Sequence, residues 1–226
     1  MEDVKSYREK ELVWYILAYL LLLISIFSPK IIQNWSCIND IISDISSWLS
    51  SILLIGVISA LSFVFTSLYP EFLREKLVYF KRKIPGKQIF SNIKFGLVTD
   101  IRINSQKALL KYEDIMKNIP SNKKDAHVYE NNKWYDLYDI HIEDSRVLHA
   151  NRDYLLSLDM YLTTITMSIL TAIAFVLHLF SFNFIITGYL LIMLILTNIV
   201  TRLNAKRLVL TVIAVDLTAC VEKTES

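Results

Sequence analysis

The sequence predicts an all-α integral membrane protein. It has four transmembrane helices in two hairpins, a mostly helical cytoplasmic domain between spans two and three, and a cytoplasmic C-terminal helix. Three observations carry this. The 226 residues are 54% hydrophobic with a mean hydropathy of +0.40, more apolar than an ordinary soluble domain. The apolar residues are gathered into four long blocks rather than spread along the chain. The basic residues are segregated between those blocks.

Residues 1–11 form a charged cytoplasmic arm in which Glu2, Asp3, Glu9 and Glu11 balance Lys5, Arg8 and Lys10. That is not the net-positive leader of a signal peptide, so the first block, 12–28, is expected to be a retained span. An extracytoplasmic loop, 29–44, leads to an uncharged second block, 45–69. The third and fourth blocks are 160–180 and 184–201. Each has the roughly 17–25 residues that cross a hydrocarbon core of about 30 Å. Trp14, Trp48, Tyr69 and Tyr161 stand near block ends, as interfacial aromatics do.

Orientation follows from charge. Of 24 Lys and Arg, 16 lie in 70–158, one (Lys30) lies between the first two blocks and none lies in the turn Ser181-Phe182-Asn183. Both termini and the long middle segment are therefore expected inside, which is also the parity four crossings require. Cys37 then lies outside and Cys220 inside, so the two cannot pair within one chain.

Within 70–158, Pro70 opens a helix bearing Leu73, Leu77 and Phe80, and Ile84-Pro85-Gly86 reads as a turn. From Gln88 to Asn104 the pattern suits a strand or a short helix equally. Ser105–Met116 and Ala126–Ile140 read as packing helices, and one continuous helix is expected from about Asp144 to Phe180. After the fourth span, 202–226 forms a helix apolar over most of its circumference from Leu208 to Val221. Such a helix should be buried against protein.

The chain has four glycines and two cysteines. It lacks a P-loop, a dinucleotide-binding glycine pattern, G-x-S-x-G and H-E-x-x-H. No cofactor or enzymatic activity is expected. Asp139, His141, Glu143, Asp144, His149 and Asp153 include metal-ligand types, but the expected reading is a solvated helix face paired with Arg146 and Arg152. The basic residues Arg74, Lys76, Lys81, Arg82, Lys83 and Lys87 are expected to meet anionic headgroups of membrane lipids. The alternative is an anionic, nucleotide-like ligand. Duplex nucleic acid is not expected, because acidic residues are interspersed through the rest of the segment.

Polar residues inside the spans suggest a central seam. Ser51, Ser59, Ser62 and Thr66 share one arc of the second span, and Asp159, Thr163 and Thr166 align on the third, with Thr164, Ser168 and Thr171 opposite. Such residues let helices pack closely or line a watery path. The first and fourth spans, rich in Leu and Ile, are expected at the periphery. The resulting expectation is a homo-oligomeric inner-membrane channel or pore-forming effector gated by its cytoplasmic domain. By analogy of layout it suits a bacterial stress or anti-phage defence response. The alternative is a non-conducting sensor or scaffold that recruits a soluble protein through Trp134, Tyr135 and Tyr138.

Overall fold

The computed structural model describes residues 2–27, 69–80, 84–178 and 181–224. In chain order the described elements are α1 (Glu2–Phe27), α2 (Glu71–Tyr79), a 3-10 turn (Pro85–Gln88), α3 (Ile89–Lys94), α4 (Ser105–Lys111), α5 (Glu113–Lys117), α6 (Lys123–Ile140), α7 (Ser145–Val176) and α8 (Phe184–Thr224). Among the described residues there is no strand. The seam residues Ser51, Ser59, Ser62 and Thr66 of the second span, the loop 29–44 and the basic run Lys81, Arg82 and Lys83 lie outside the described residues.

The chain forms two compact units, one of Met1–Arg74 with Leu156–Ile199, the other of Glu75–Leu155 with Val200–Ser226. Two described helices, α7 and α8 as far as Ala219, are long and apolar enough to cross a membrane, and a shorter apolar stretch, Glu11–Leu23, lies in α1. The fourth span expected at 184–201 and the C-terminal helix expected at 202–226 lie on one helix, for α8 runs 41 residues without a break. Nothing in Thr201–Ala205 stops it, since the stretch holds neither Pro nor Gly.

In the first unit, Ile16, Tyr19 and Leu20 of α1 pack with Met167 of α7 and with Ile186 and Leu190 of α8. Two hydroxyl pairs tie α1 to α7, Tyr15–Thr164 at 2.7 Å and Tyr19–Thr171 at 2.5 Å. The Tyr19 ring stacks on Tyr189 at 6.1 Å. One face of the first span thus packs on α7 and α8, while Val13, Trp14 and Leu21 stay exposed. Its tyrosines pack beside Leu20 on this face, because a phenol in an apolar layer seeks a hydrogen-bond partner. Tyr15→Phe and Tyr19→Phe are each expected to lower the melting stability of the detergent-solubilised protein by about 0.6 kcal/mol, the usual worth of an interhelical hydrogen bond in lipid.

The outward face of α8 in this unit is apolar. Ile185, Ile192, Leu196 and Ile199 are exposed on one side, while Ile186, Leu190, Thr197 and Asn198 are buried on the other. Exposed Ile169, Ile173 and Val176 form a similar stripe on α7. Hydroxyls and an amide inside with isoleucines outside invert the soluble pattern and suit a lipid surrounding.

The second unit has a conventional core. Phe90, Ile93, Ala108, Tyr112, Met116, Trp134 and Val147 pack against Leu208, Val209, Val212 and Ile213 of α8. Short polar residues start its helices. The Asn104 side chain accepts from the Gln106 and Lys107 amides, Asn122 caps α6, and Asp144 accepts from the Arg146 amide at the start of α7. Of the ambiguous stretch only Ile89–Lys94 is α-helical, while Val98, Ile101 and Ile103 lie in irregular chain. That helix, α3, is closed by Gly96 at φ +65°. There the Gly96 amide donates to Ile93 O at 3.0 Å and the Leu97 amide to Asn92 O at 2.8 Å, the two bonds of a Schellman cap. Ser105–Met116 is two helices rather than one, broken at Tyr112.

Candidate functional site

The polar chemistry of the second unit gathers on the C-terminal half of α8. Asp216 is 7% exposed in an otherwise apolar run. Its Oδ2 lies 2.7 Å from Lys111 Nζ and accepts from the Tyr112 hydroxyl at 2.6 Å. Its Oδ1 is 2.9 Å from His141 Nε2, and its backbone carbonyl accepts a second bond from Lys111 Nζ at 2.6 Å. Burial alone would raise the carboxyl pKa, but hydrogen bonds from Lys111, Tyr112 and His141 outweigh it and hold the group below the usual carboxylate range. One carboxylate therefore joins α8 to the α4–α5 junction and to the end of α6. A second buried carboxylate, Glu130 of α6, accepts from the Ser91 amide at 2.9 Å and from the Ser91 hydroxyl, fixing α3 to α6.

Beside the first of these α8 core contacts, a cleft of about 480 Å³ opens between the 3-10 turn, α3, the 97–100 loop and α8. Ile89, Val98, Val209 and Leu210 supply apolar wall, and Gln88, Asn92, Asp100 and Lys206 supply polar groups. Gln88 donates its amide to His127 Nε2 at 2.7 Å. Asp100 accepts from Arg102 Nη2 at 2.7 Å and from Arg102 Nε at 3.0 Å. Those bonds hold its pKa below the ordinary value, and the charge of Lys206 adds to them. The Lys206 ammonium itself makes no ion pair among the described residues.

The residues singled out by sequence are placed as follows. Thr163 and Thr166 are buried within the chain. Thr164, Thr166 and Ser168 each donate to the carbonyl four residues earlier in α7. Thr163 does not, and its hydroxyl is buried without a partner among the described residues. Asp159 is half-buried. Arg74 donates to Tyr69 O at 2.8 Å, Lys76 is exposed, and Lys87 is paired with Glu75 at 2.8 Å. Lys87 is therefore not a free cation for a headgroup.

The aromatic patch is corrected. Trp134 is 6% exposed and donates its indole N–H to Val209 O at 3.4 Å. Tyr138 is half-buried against the same core, and of the three only Tyr135 is exposed. The expected solvated acidic face also differs in part, because His141 turns inward to Asp216. Asp144 pairs with Arg146, and among the described residues no group of three or more His, Cys, Asp or Glu side chains lies close enough to hold a metal ion.

Sequence reasoning missed Asp216, Lys111, Asn92 and Lys206. For Asp216 a signal existed, since a lone carboxylate in an apolar helical run must be partnered or functional. Comparison with protein-family models, with characterised proteins and with solved structures finds nothing that this chain matches.

Proposed function

We propose that this chain is a four-span membrane protein that assembles into a homo-oligomeric pore, with its second unit as the gate's receiver. The spans are 12–28, 45–69, 160–180 and 184–201, in an inner membrane of bacterial type, with both termini and 70–158 in the cytoplasm as the distribution of Lys and Arg favours. The observation that carries the reading is helix continuity. The single helix α8 includes both the apolar-faced stretch from Ile185 to Ile199 and the core residues Leu208 to Leu217. A ligand that binds one state of the second unit more tightly than another thereby biases a membrane span directly. Of the three aromatics on which the scaffold reading rests, Trp134 lies in the core and Tyr135 alone is exposed.

The test pairs mass with flux. Native mass spectrometry in lipid nanodiscs is expected to give a discrete multimer larger than a dimer, and the reconstituted protein is expected to pass ions across liposomes. Thr163→Val removes a buried hydroxyl that has no partner among the described residues, so thermal stability should hold or rise slightly. Ion flux should nevertheless change, as it should in Thr166→Val. A monomer or dimer in the nanodisc, or flux indifferent to both substitutions, would sink the pore.

A further inference from the structure

We propose that the cleft beside α3 and α8 binds a small organic anion with a planar, hydrogen-bonding body. The inference rests on the reading of the second unit as the receiver and names the chemistry of what it receives.

Three features of the cleft specify the ligand. Its wall of Ile89, Val98, Val209 and Leu210 takes an apolar face and excludes a fully hydrated ion. The Asn92 side chain lines the cleft, while the backbone carbonyl of Asn92 is occupied by the Leu97 amide. Its carboxamide makes no hydrogen bond among the described residues, so it offers a donor and an acceptor side by side. Gln88, committed through its amide to His127, retains its carbonyl oxygen. An aliphatic chain would leave these groups unmatched, at a cost, whereas the edge of a polar ring would pair with them.

Lys206 selects the charge. Among the described residues it is the one ammonium lining the cleft, and the carboxylate within its influence, Asp100, is already held by the Arg102 fork. An acidic group at the mouth would therefore gain a charge-assisted bond without displacing an existing pair. Because Lys206, Val209 and Leu210 all belong to α8, such a ligand touches the helix that the pore reading makes the transmitter.

The experiment is ligand-observed saturation-transfer NMR on the full chain in nanodiscs, with empty nanodiscs as blank. The probes are AMP, nicotinate and indole-3-acetate, each against its uncharged counterpart, adenosine, nicotinamide or indole-3-acetamide. At least one anion is expected to bind, more tightly than its counterpart. That binding should weaken about tenfold in Lys206→Ala and similarly in Asn92→Asp, which adds a repelling charge at nearly constant shape. Binding by none of the anions, equal binding by the neutral counterparts, or unchanged binding in both variants would overturn the assignment. Anion binding without ion flux would retire the pore and leave the cleft standing, and flux without anion binding would do the reverse.

Discussion

Asp216→Ala is expected to destabilise the second unit by about 3 kcal/mol. The carboxylate is the shared acceptor for Lys111, Tyr112 and His141, and its removal takes that acceptor from all three, while Lys111 keeps its bond to the Asp216 backbone carbonyl. Tyr112 is 2% exposed, so its hydroxyl has no water to turn to and bears the full cost of desolvation, about 1–3 kcal/mol. Lys111 is partly exposed and recovers some hydration, which keeps the sum below that of a fully buried pair. If instead the partners are removed together, as in the quadruple variant Asp216→Leu, Lys111→Met, Tyr112→Phe and His141→Leu, most of the loss should be restored. A buried ionic cluster replaced whole by apolar side chains is often neutral. Circular dichroism melts in detergent would separate the cases, and a single variant as stable as the wild type would show that the node holds nothing together.

The same node has a pH signature. The Asp216 carboxyl sits lower in the folded protein than in the unfolded chain, where it is near the ordinary value of about 3.9. Its stabilising contribution is therefore complete above that value and is lost as pH falls through it toward the lower folded value. The wild type should lose stability on acidification below about pH 4 more steeply than Asp216→Ala. Asp100 and Asp144, both lowered by adjacent arginines, remain in the variant, so its slope is reduced rather than abolished.

Trp134→Ala should cost about 3–5 kcal/mol, the range for truncating a large buried aromatic. The indole contacts the core and bonds Val209 O, and the rings of Tyr135 and Tyr138 pack on it at 5.0 and 5.6 Å. Tyr135→Ala, at a side chain 47% exposed, should fall within about 0.5 kcal/mol of the wild type. Thermal melts of both variants decide between a packing role and a docking role for the motif. A docking surface at Trp134 would give the opposite pattern, with stability intact and partner capture lost.

These residues also mark where local pattern was a sufficient guide and where it was not. The apolar circumference of Leu208–Val221 called for a buried helix, and its part Leu208–Leu217 lies in the core. The unbroken run from Asp144 forward reads as one helix, and α7 begins at Ser145 with Asp144 as its cap. Tyr112 defeats local reading because no Gly or Pro interrupts Ser105–Met116. The break is held by a hydroxyl bond to a residue 104 positions away and by edge-to-face packing on Phe90 at 5.4 Å. Trp134 reads as exposed only if its polar neighbours, Asn132, Lys133 and Asp136, are taken as its environment. On a helix the relevant neighbours are Glu130, Leu137 and Tyr138, one turn away and buried or half-buried. The cleft was invisible because its lining comes from two segments about a hundred residues apart, a proximity that no periodicity encodes.

The second unit is discontinuous in the chain, with Leu156–Ile199 intervening between its two parts, and this has a consequence for biosynthesis. When Leu155 leaves the ribosome, Phe90, Ile93, Trp134 and Val147 have no Val209, Val212 or Ile213 to cover them. At about 5–20 residues per second, translation needs roughly 3–12 s more to deliver the missing wall. During that interval the nascent chain must hold an open apolar surface, and under the membrane reading proposed above it does so while α7 and α8 are being inserted. Premature termination between Leu155 and Leu208 would leave a half-built core, and such chains are natural clients for chaperones and proteases.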